Sequence, residues 1–233
     1  MKEESNVEVL CDFDGTITNA DIGFRIIETF GGPGWREVED AYQRGEKGSK
    51  EAIEEIFSLT RVSEQTLSRF VEEHFFVDPS FNDFLNYCRR SDMEITVLSD
   101  GFDFYIDLML QKFKVDVPYL ANCLRVIDNS LVTRFPYHNT KCGICGNCKM
   151  EFAQKVKKRG ADIIYIGDGH SDRCASNMAD VIFAKDSLAE YCKEQEMPYF
   201  HFNNFADILD LCRSGLLDNL GRPGSSDKEE KKC

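Results

Sequence analysis

Acidic residues follow three short apolar runs of this chain, at the point where each run ends. Asp12 and Asp14 come after the first run, Asp100 after the second and Asp168 after the third. If these runs are neighbouring parallel strands, the acidic residues meet at the edge where open α/β sheets bind ligands. Carboxylates as close as those of Asp12, Asp14 and Asp168 repel one another, so we expect a cation among these three, and an all-oxygen set of ligands favours Mg²⁺.

Such a cluster is suited to phosphoryl transfer. A magnesium ion beside a carboxylate shields an incoming phosphate and stabilises the charge that develops on it. One aspartate can itself be the nucleophile and form an acyl phosphate. A second aspartate two residues further on could protonate the leaving alkoxide and then activate water, and acid–base catalysis of this kind is typically worth about 10²–10⁴-fold in rate.

The elements that must position these residues follow from the hydrophobic pattern. Continuous apolar runs are typical of parallel strands that are covered on both faces, and stretches with helical periodicity separate them. This alternation predicts an open, doubly wound α/β fold with a mainly parallel sheet. The predicted strands are residues 7–10, 95–98, 163–166 and 181–184, and the clearest predicted helices of the core are 80–90, 104–113, 149–159 and 187–194.

The stretch 21–77 breaks the alternation, because it has helical patterns and no convincing strand. We therefore expect a helical cap, inserted after the first strand and packed over the edge of the sheet. The predicted domains are a core of residues 1–20 and 78–220 and a cap of residues 21–77. Residues 221–233, which hold Gly, Pro, Ser and a charge run, are expected to form a disordered tail.

Four motifs in the predicted order resemble those of the haloacid dehalogenase (HAD) superfamily. Asp-Phe-Asp-Gly-Thr at 12–16 resembles the first motif, and Ser99 at the end of the second predicted strand resembles the second. Lys149 fits the third motif, and Gly-Asp-Gly-His-Ser-Asp at 167–172 fits the fourth. The resemblance covers roughly residues 7–172, which is most of the chain.

The resemblance implies catalytic and metal-binding roles for four aspartates. Asp12 is expected to be the nucleophile and a magnesium ligand. Asp14 is expected to be the general acid and base, with its backbone carbonyl also on the metal; its presence favours a phosphatase within the superfamily. Asp168 is expected to bind the metal, and Asp172 to support it or to bind it through water.

The resemblance also implies a set of residues that hold the substrate. Ser99 and Lys149 are expected to hold phosphoryl oxygens, and Lys149 is also catalytic because it offsets the charge of the nucleophile. Asp100 and Gly101, next to Ser99, are expected to complete the phosphate site. Asp21 stands where phosphoserine phosphatases carry a glutamate that binds the amine of their substrate.

The predicted cap resembles that of the phosphoserine phosphatase subgroup, so substrate choice is expected to come from the cap. Asp12–Thr18, Cys148-Lys149 and residues 183–186 resemble the methionine-salvage phosphatases that act on 2-hydroxy-3-keto-5-methylthiopentenyl-1-phosphate. The alternatives are phosphoserine or a phosphocholine or phosphoethanolamine substrate, transfer of phosphate to another alcohol, and a binding module with vestigial catalysis.

A cysteine-rich segment immediately precedes Lys149. Cys142, Cys145 and Cys148 are spaced by two residues each, and His138 lies four residues upstream of the first. Zinc prefers tetrahedral ligation by cysteine and histidine, so these four residues could bind structural Zn²⁺. The alternative is a segment without metal, either redox-sensitive or inert.

Charge and composition restrict the partners. The formal net charge of −13 makes nucleic acid a poor partner, because binding a phosphate backbone calls for a basic surface. No run of 18 apolar residues predicts a membrane span, and the polar, acidic beginning does not resemble a signal peptide. We expect a cytoplasmic protein that binds a small phosphorylated metabolite and, in a homodimer, a second copy of the chain.

Overall fold

The computed structural model describes residues 6–217 and Leu220. The chain divides into two compact units, each discontinuous in sequence. Unit 1 comprises Met1–Asp12, Asp78–Val97 and Lys149–Cys233, and unit 2 comprises Phe13–Val77 and Leu98–Cys148.

Seven strands and ten α-helices occur in the described part of the chain. The strands are β1 Val7–Cys11, β2 Glu94–Phe102, β3 Tyr119–Ile127, β4 Ser130–Arg134, β5 Asp162–Gly167, β6 Val181–Ala184 and β7 Phe200–His201. The helices are α1 Ile22–Phe30, α2 Trp35–Gln43, α3 Ser49–Leu59, α4 Glu64–His74, α5 Phe81–Arg90, α6 Asp103–Phe113, α7 Lys149–Lys158, α8 Arg173–Ser176, α9 Asp186–Glu194 and α10 Phe205–Arg213.

The strands of unit 1 pair in parallel. β1 lies between the start of β2 and β5, with Val9 opposite both Ile95 and Ile164, and β6 and β7 continue the sheet beyond β5. All residues of β1 and β5 are buried, which explains their nearly continuous apolar sequences. Helices α5 and α7–α10 belong to the same unit. The predicted α/β fold with a mainly parallel sheet is confirmed, and the four predicted strands correspond to β1, β2, β5 and β6.

Unit 2 contains α1–α4, α6 and the antiparallel hairpin of β3 and β4, and the last residues of β2 also belong to it. Asp128 and Asn129 form the hairpin turn with φ values of 50° and 61°. This hairpin was not predicted from the sequence. Asp21 begins α1 as its N-cap, because its Oδ1 accepts a hydrogen bond of 2.8 Å from the backbone N–H of Phe24.

The predicted division into core, cap and tail stays a prediction. Helices α1–α4 lie within the stretch expected to form the cap, while the expected tail at 221–233 lies outside the described residues. Across the residues that the structure describes, no helix combines the length and the apolar character that crossing a bilayer requires.

Candidate active site

Three carboxylates of unit 1 converge where β1 and β5 end. Asp12 directly follows β1, Asp168 follows β5, and Asp172 ends the short 3₁₀ turn after it. One oxygen from each lies within 4.8 Å of the others, and within residues 6–217 this is the one group of three or more acidic, cysteine or histidine residues close enough to share a metal ion. We call Asp12, Asp168, Asp172 and the neighbouring Lys149 the carboxylate cluster.

Lys149 is the buried cation of the carboxylate cluster. It is the first residue of α7, and its Nζ donates hydrogen bonds to Oδ1 of Asp12 at 2.6 Å and to Oδ1 of Asp172 at 2.7 Å. Burial alone would lower the pKa of Lys149, but the two carboxylates reverse this and raise the pKa above its ordinary value. The lysine therefore stays charged and fixes the orientation of Asp12.

The pKa of the Asp12 carboxyl depends on burial and on the charges around it. Burial raises its pKa well above the ordinary value, Asp172 and Asp168 raise it as like charges, and Lys149 opposes them. The cluster thus holds three carboxylates and one ammonium group, which bonds to Asp12 and Asp172, so negative charge is in excess there. An additional cation fits this cluster, and its hard oxygen donors suit Mg²⁺.

Asp172 is saturated with hydrogen bonds. Its Oδ1 accepts from Lys149 Nζ and from the Tyr165 hydroxyl, both at 2.7 Å, and its Oδ2 accepts from the backbone N–H groups of Asp168 at 3.2 Å and Gly169 at 2.9 Å. A carboxylate offers about four acceptor positions, so all are occupied. A Cβ on Gly167 would lie 2.5 Å from Oδ2, which explains why glycine precedes Asp168. This arrangement makes Asp172 an anchor for Lys149 and for the turn that carries Asp168.

Asp14 lies in unit 2 and is held by three hydrogen bonds. Its Oδ1 accepts from the backbone N–H of Ile22 at 3.0 Å, and its Oδ2 accepts from the hydroxyls of Tyr105 at 2.9 Å and Ser99 at 3.2 Å. Burial, followed by the negative charge of Asp21, raises the pKa of Asp14 to about 7. A carboxyl group with this pKa can both give and take a proton near neutral pH. Tyr105 was not among the residues predicted from the sequence.

The predicted substrate-binding residues have other contacts in this structure. The backbone N–H of Gly101 donates to Ser99 Oγ at 2.9 Å. The Asp100 carboxylate accepts from Ser49 Oγ at 2.6 Å through Oδ2 and from the Asn147 backbone N–H at 2.8 Å through Oδ1. Asp21 caps α1, as described above. Roles of Ser99, Asp100, Gly101 and Asp21 in binding the substrate stay predictions.

Asp100 and Asn147 hold the segment that leads to Lys149. The Asn147 side chain donates to the backbone carbonyls of Ser99 at 2.9 Å and Leu120 at 2.8 Å, so it ties this segment to the end of β2. Gly146 donates to Ser49 Oγ at 3.2 Å. No sequence pattern indicates this network, because the bonds join positions that are distant along the chain.

The predicted zinc site is not supported. Cys142 is exposed, Cys145 is partly buried and Cys148 is buried, and together with His138 they do not form a group of potential metal ligands within the described ranges. The His138 ring instead lies 2.7 Å, through Nδ1, from the backbone carbonyl of Cys145.

Comparisons with known proteins agree with this geometry. The family model for haloacid dehalogenase-like hydrolases matches residues 9–176. Two curated relatives, both named 2-hydroxy-3-keto-5-methylthiopentenyl-1-phosphate phosphatase, come from Bacillus mycoides and Bacillus cytotoxicus. They are 28% and 29% identical over 207 residues, which cover 88% and 87% of this chain and 94% of each relative.

Solved structures with the same fold include phosphoserine phosphatases. The enzyme from T. onnurineus has a TM-score of 0.65 at 17% identity and covers 94% of this chain and 98% of its own. A phosphoserine phosphatase with an analogue of the phospho-aspartyl intermediate has a TM-score of 0.63 at 16% identity, over 88% of this chain and 98% of its own. At these identities the matches show the fold alone.

Proposed function

This chain belongs to the family of haloacid dehalogenase-like hydrolases, and from that premise we propose that it is a Mg²⁺-dependent phosphatase that forms a phosphoaspartate on Asp12. The observation that carries the proposal is the carboxylate cluster around a buried lysine at the ends of β1 and β5. Phosphomonoester hydrolysis also agrees with the names of the curated relatives.

The first half of the reaction forms the phosphoenzyme. A carboxylate oxygen of Asp12 attacks the phosphorus atom, the bond from phosphorus to the leaving alkoxide oxygen breaks, and Asp14 gives its proton to that oxygen. Lys149 keeps Asp12 oriented and offsets negative charge as the phosphate approaches, and Ser99 holds a phosphoryl oxygen. The acid, Asp14, follows the nucleophile, Asp12, by two residues in the chain.

The second half releases inorganic phosphate. Asp14, now a carboxylate, takes a proton from water as the water oxygen attacks the phosphorus atom and the bond to Asp12 breaks. Asp12 and Asp168 would hold Mg²⁺, which would supply neutralising charge for the phosphate, as is typical of this family. Asp172 anchors Lys149 and the Asp168 turn in this proposal, and the metal contact predicted for Asp14 stays a prediction.

For the substrate we propose a small phosphorylated metabolite of the methionine-salvage type, with 2-hydroxy-3-keto-5-methylthiopentenyl-1-phosphate as the first candidate. The curated relatives that carry this name support the proposal. Phosphoserine, phosphocholine and phosphoethanolamine belong in the same substrate panel. A cytoplasmic location, a homodimer and the absence of a nucleic-acid partner are further proposals, the last supported by the net charge of −13.

The test is magnesium-dependent phosphate release from that panel by the wild-type protein and by Asp12→Asn. Asp162→Asn is a matched control, because Asp162 is also buried in unit 1 but begins β5, at the strand end opposite Asp168. We expect Asp12→Asn to lose activity and Asp162→Asn to keep it. Release that persists in Asp12→Asn, or no release from any substrate by folded wild-type protein, would contradict the proposal. Added alcohols that capture the phosphate would indicate transfer in place of hydrolysis.

A further inference from the structure

Tyr105 is a buried side chain whose hydroxyl contacts a proposed catalytic group. It lies in the first turns of α6, has no exposed surface, and donates its hydrogen bond to Asp14 Oδ2 at 2.9 Å. A buried hydroxyl needs a partner, and here that partner is the carboxyl group to which we assign proton transfer.

The hydrogen bonds of Asp14 distinguish its two oxygens. Each carboxylate oxygen accepts about two hydrogen bonds. Among the residues that the structure describes, Oδ2 has two donors, Tyr105 and Ser99, whereas Oδ1 has one, the backbone N–H of Ile22. The remaining acceptor position therefore lies on Oδ1, and this is the atom available for the leaving oxygen or for water.

Ser99 cannot hold Asp14 throughout the reaction. Its hydroxyl has a single proton to donate, and in the proposed function that proton goes to a phosphoryl oxygen when substrate binds. Once Ser99 turns to the phosphate, Tyr105 is the remaining side-chain donor to Oδ2. The Tyr105 hydrogen bond thus matters most when substrate is bound, which is when Asp14 must be correctly oriented.

Gly101 leaves the room that this hydrogen bond needs. A Cβ at position 101 would lie 1.9 Å from the Tyr105 hydroxyl and 2.3 Å from Asp14 Oδ2. Any side chain at this position would enter the space between the two groups. Glycine at position 101 is therefore required for the hydrogen bond between the Tyr105 hydroxyl and Asp14.

We propose that Tyr105 is a positioning residue that fixes Oδ2 of Asp14 and thereby presents Oδ1 as the atom that gives and takes the proton. This inference rests on the proposed function. It assigns to Tyr105 a role in assisting the departure of the alkoxide, and none in binding phosphate.

The experiment compares Tyr105→Phe with wild type on two substrates that differ in their need for an acid. p-Nitrophenyl phosphate has a leaving group that departs without a proton, while β-glycerol phosphate releases an alkoxide that needs one. We expect kcat/KM for β-glycerol phosphate to fall about 10- to 100-fold, because small misplacements of a catalytic group cost up to about 10²-fold. For p-nitrophenyl phosphate kcat/KM should change less than about 3-fold, since acid catalysis contributes little there.

Tyr119→Phe is the matched control. Tyr119 is also in unit 2 and its hydroxyl also donates to a carboxylate, Asp107 Oδ1 at 2.5 Å, but it does not contact Asp14. This variant should hydrolyse both substrates like wild type. Tyr105→Met is a second variant that removes the hydroxyl and keeps an apolar side chain of similar reach, and it should show the same selective loss even if Tyr105→Phe does not fold.

A double variant separates positioning from a purely structural effect. In an Asp14→Asn background, Tyr105→Phe should cause no further fall in kcat/KM for β-glycerol phosphate, because its effect acts through Asp14. Equal losses on both substrates, or additive losses in the double variant, would overturn the inference and leave the phosphatase proposal intact. Wild-type protein that releases phosphate from neither these substrates nor any member of the metabolite panel, or activity that survives Asp12→Asn, would instead defeat the proposed function.

Discussion

Replacing Lys149 by methionine should destabilise the metal-free protein by about 3–5 kcal/mol at pH 7.5, the usual cost of removing one partner of a buried ion pair. The Lys149 side chain is 1% exposed, and its two carboxylate partners, Asp12 and Asp172, are 7% and 0% exposed. Methionine has a similar length but no charge, so both carboxylates lose their cation. For a domain of this size the loss corresponds to a fall in Tm of about 6–20 °C.

The assay is urea unfolding in the presence of EDTA, with Lys155→Met as the control. Lys155 lies on the same helix, is 66% exposed, and pairs with Glu151 at 2.8 Å. Exposed pairs of this spacing contribute about 0.3–0.5 kcal/mol, so the control should lose no more than that. The roughly tenfold difference between the two variants in lost free energy of unfolding is the contribution of burial.

The stability difference should also depend on pH. Burial raises the pKa of Asp12, the neighbouring Asp172 raises it further, and Lys149 lowers it. Without Lys149 the pKa rises again, and an acid whose pKa is higher in the folded than in the unfolded chain takes up protons preferentially in the folded state. The variant therefore recovers stability relative to wild type as the pH falls from 7.5 to 5.5. A loss no larger than that of Lys155→Met, or a difference that is the same at both pH values, would refute this reasoning.

Three further results are expected. Gly167→Ala would place a Cβ 2.5 Å from Asp172 Oδ2, so Mg²⁺ affinity measured by calorimetry should fall about 10- to 100-fold, as for other groups that support a metal ligand. Burial raises the pKa of Asp14 to about 7, and Asp14 must be protonated to act as the acid. For an alkyl phosphate, kcat/KM should therefore fall as the pH rises above about 7, and Asp14→Asn should abolish this decline. Cys142→Ser and Cys145→Ser should leave Tm and magnesium-dependent activity unchanged, since these thiols are not part of a ligand group in the described residues. Elemental analysis should find no stoichiometric zinc, and equimolar zinc would contradict this expectation.

The apolar pattern predicts the central strands and the carboxylate cluster together. β1 and β5 are buried on both faces, so their sequences are nearly continuous runs, and each run ends where its acidic residue begins. Parallel pairing then brings Asp12 and Asp168 to the same edge. This part of the structure depends on local pattern and on a general property of parallel sheets, which is why sequence was sufficient.

The hairpin of β3 and β4 was missed for a recognisable reason. Its strands mix apolar with polar residues, and Ile127 and Val132 are exposed, so neither has a clear alternating pattern. The usable signal was the turn. Asp128 and Asn129 both have positive φ, as a two-residue hairpin turn requires, and aspartate and asparagine are residue types that accept this conformation.

Tyr105 and Asn147 could not be predicted because their contacts depend on tertiary packing. Tyr105 reaches Asp14, 91 residues away in sequence, only because of how α6 follows the end of β2. Asn147 bonds to carbonyls 48 and 27 residues away. No periodicity or motif encodes such distances, whereas the motifs at strand ends need only a turn of a few residues.

The saturated carboxylate of Asp172 bears on discrimination between alkaline-earth ions. Ca²⁺ takes six to eight oxygen ligands, and proteins usually supply most of them, whereas Mg²⁺ is bound through one or two carboxylates and retains much of its water. Because Asp172 has no acceptor position left, the cluster offers side-chain oxygens from Asp12 and Asp168 alone. So small a set of side-chain donors suits Mg²⁺, which keeps much of its water, better than Ca²⁺. A hydrogen-bonding pattern that involves no metal thus favours the smaller ion by limiting the side-chain oxygens that the cluster offers.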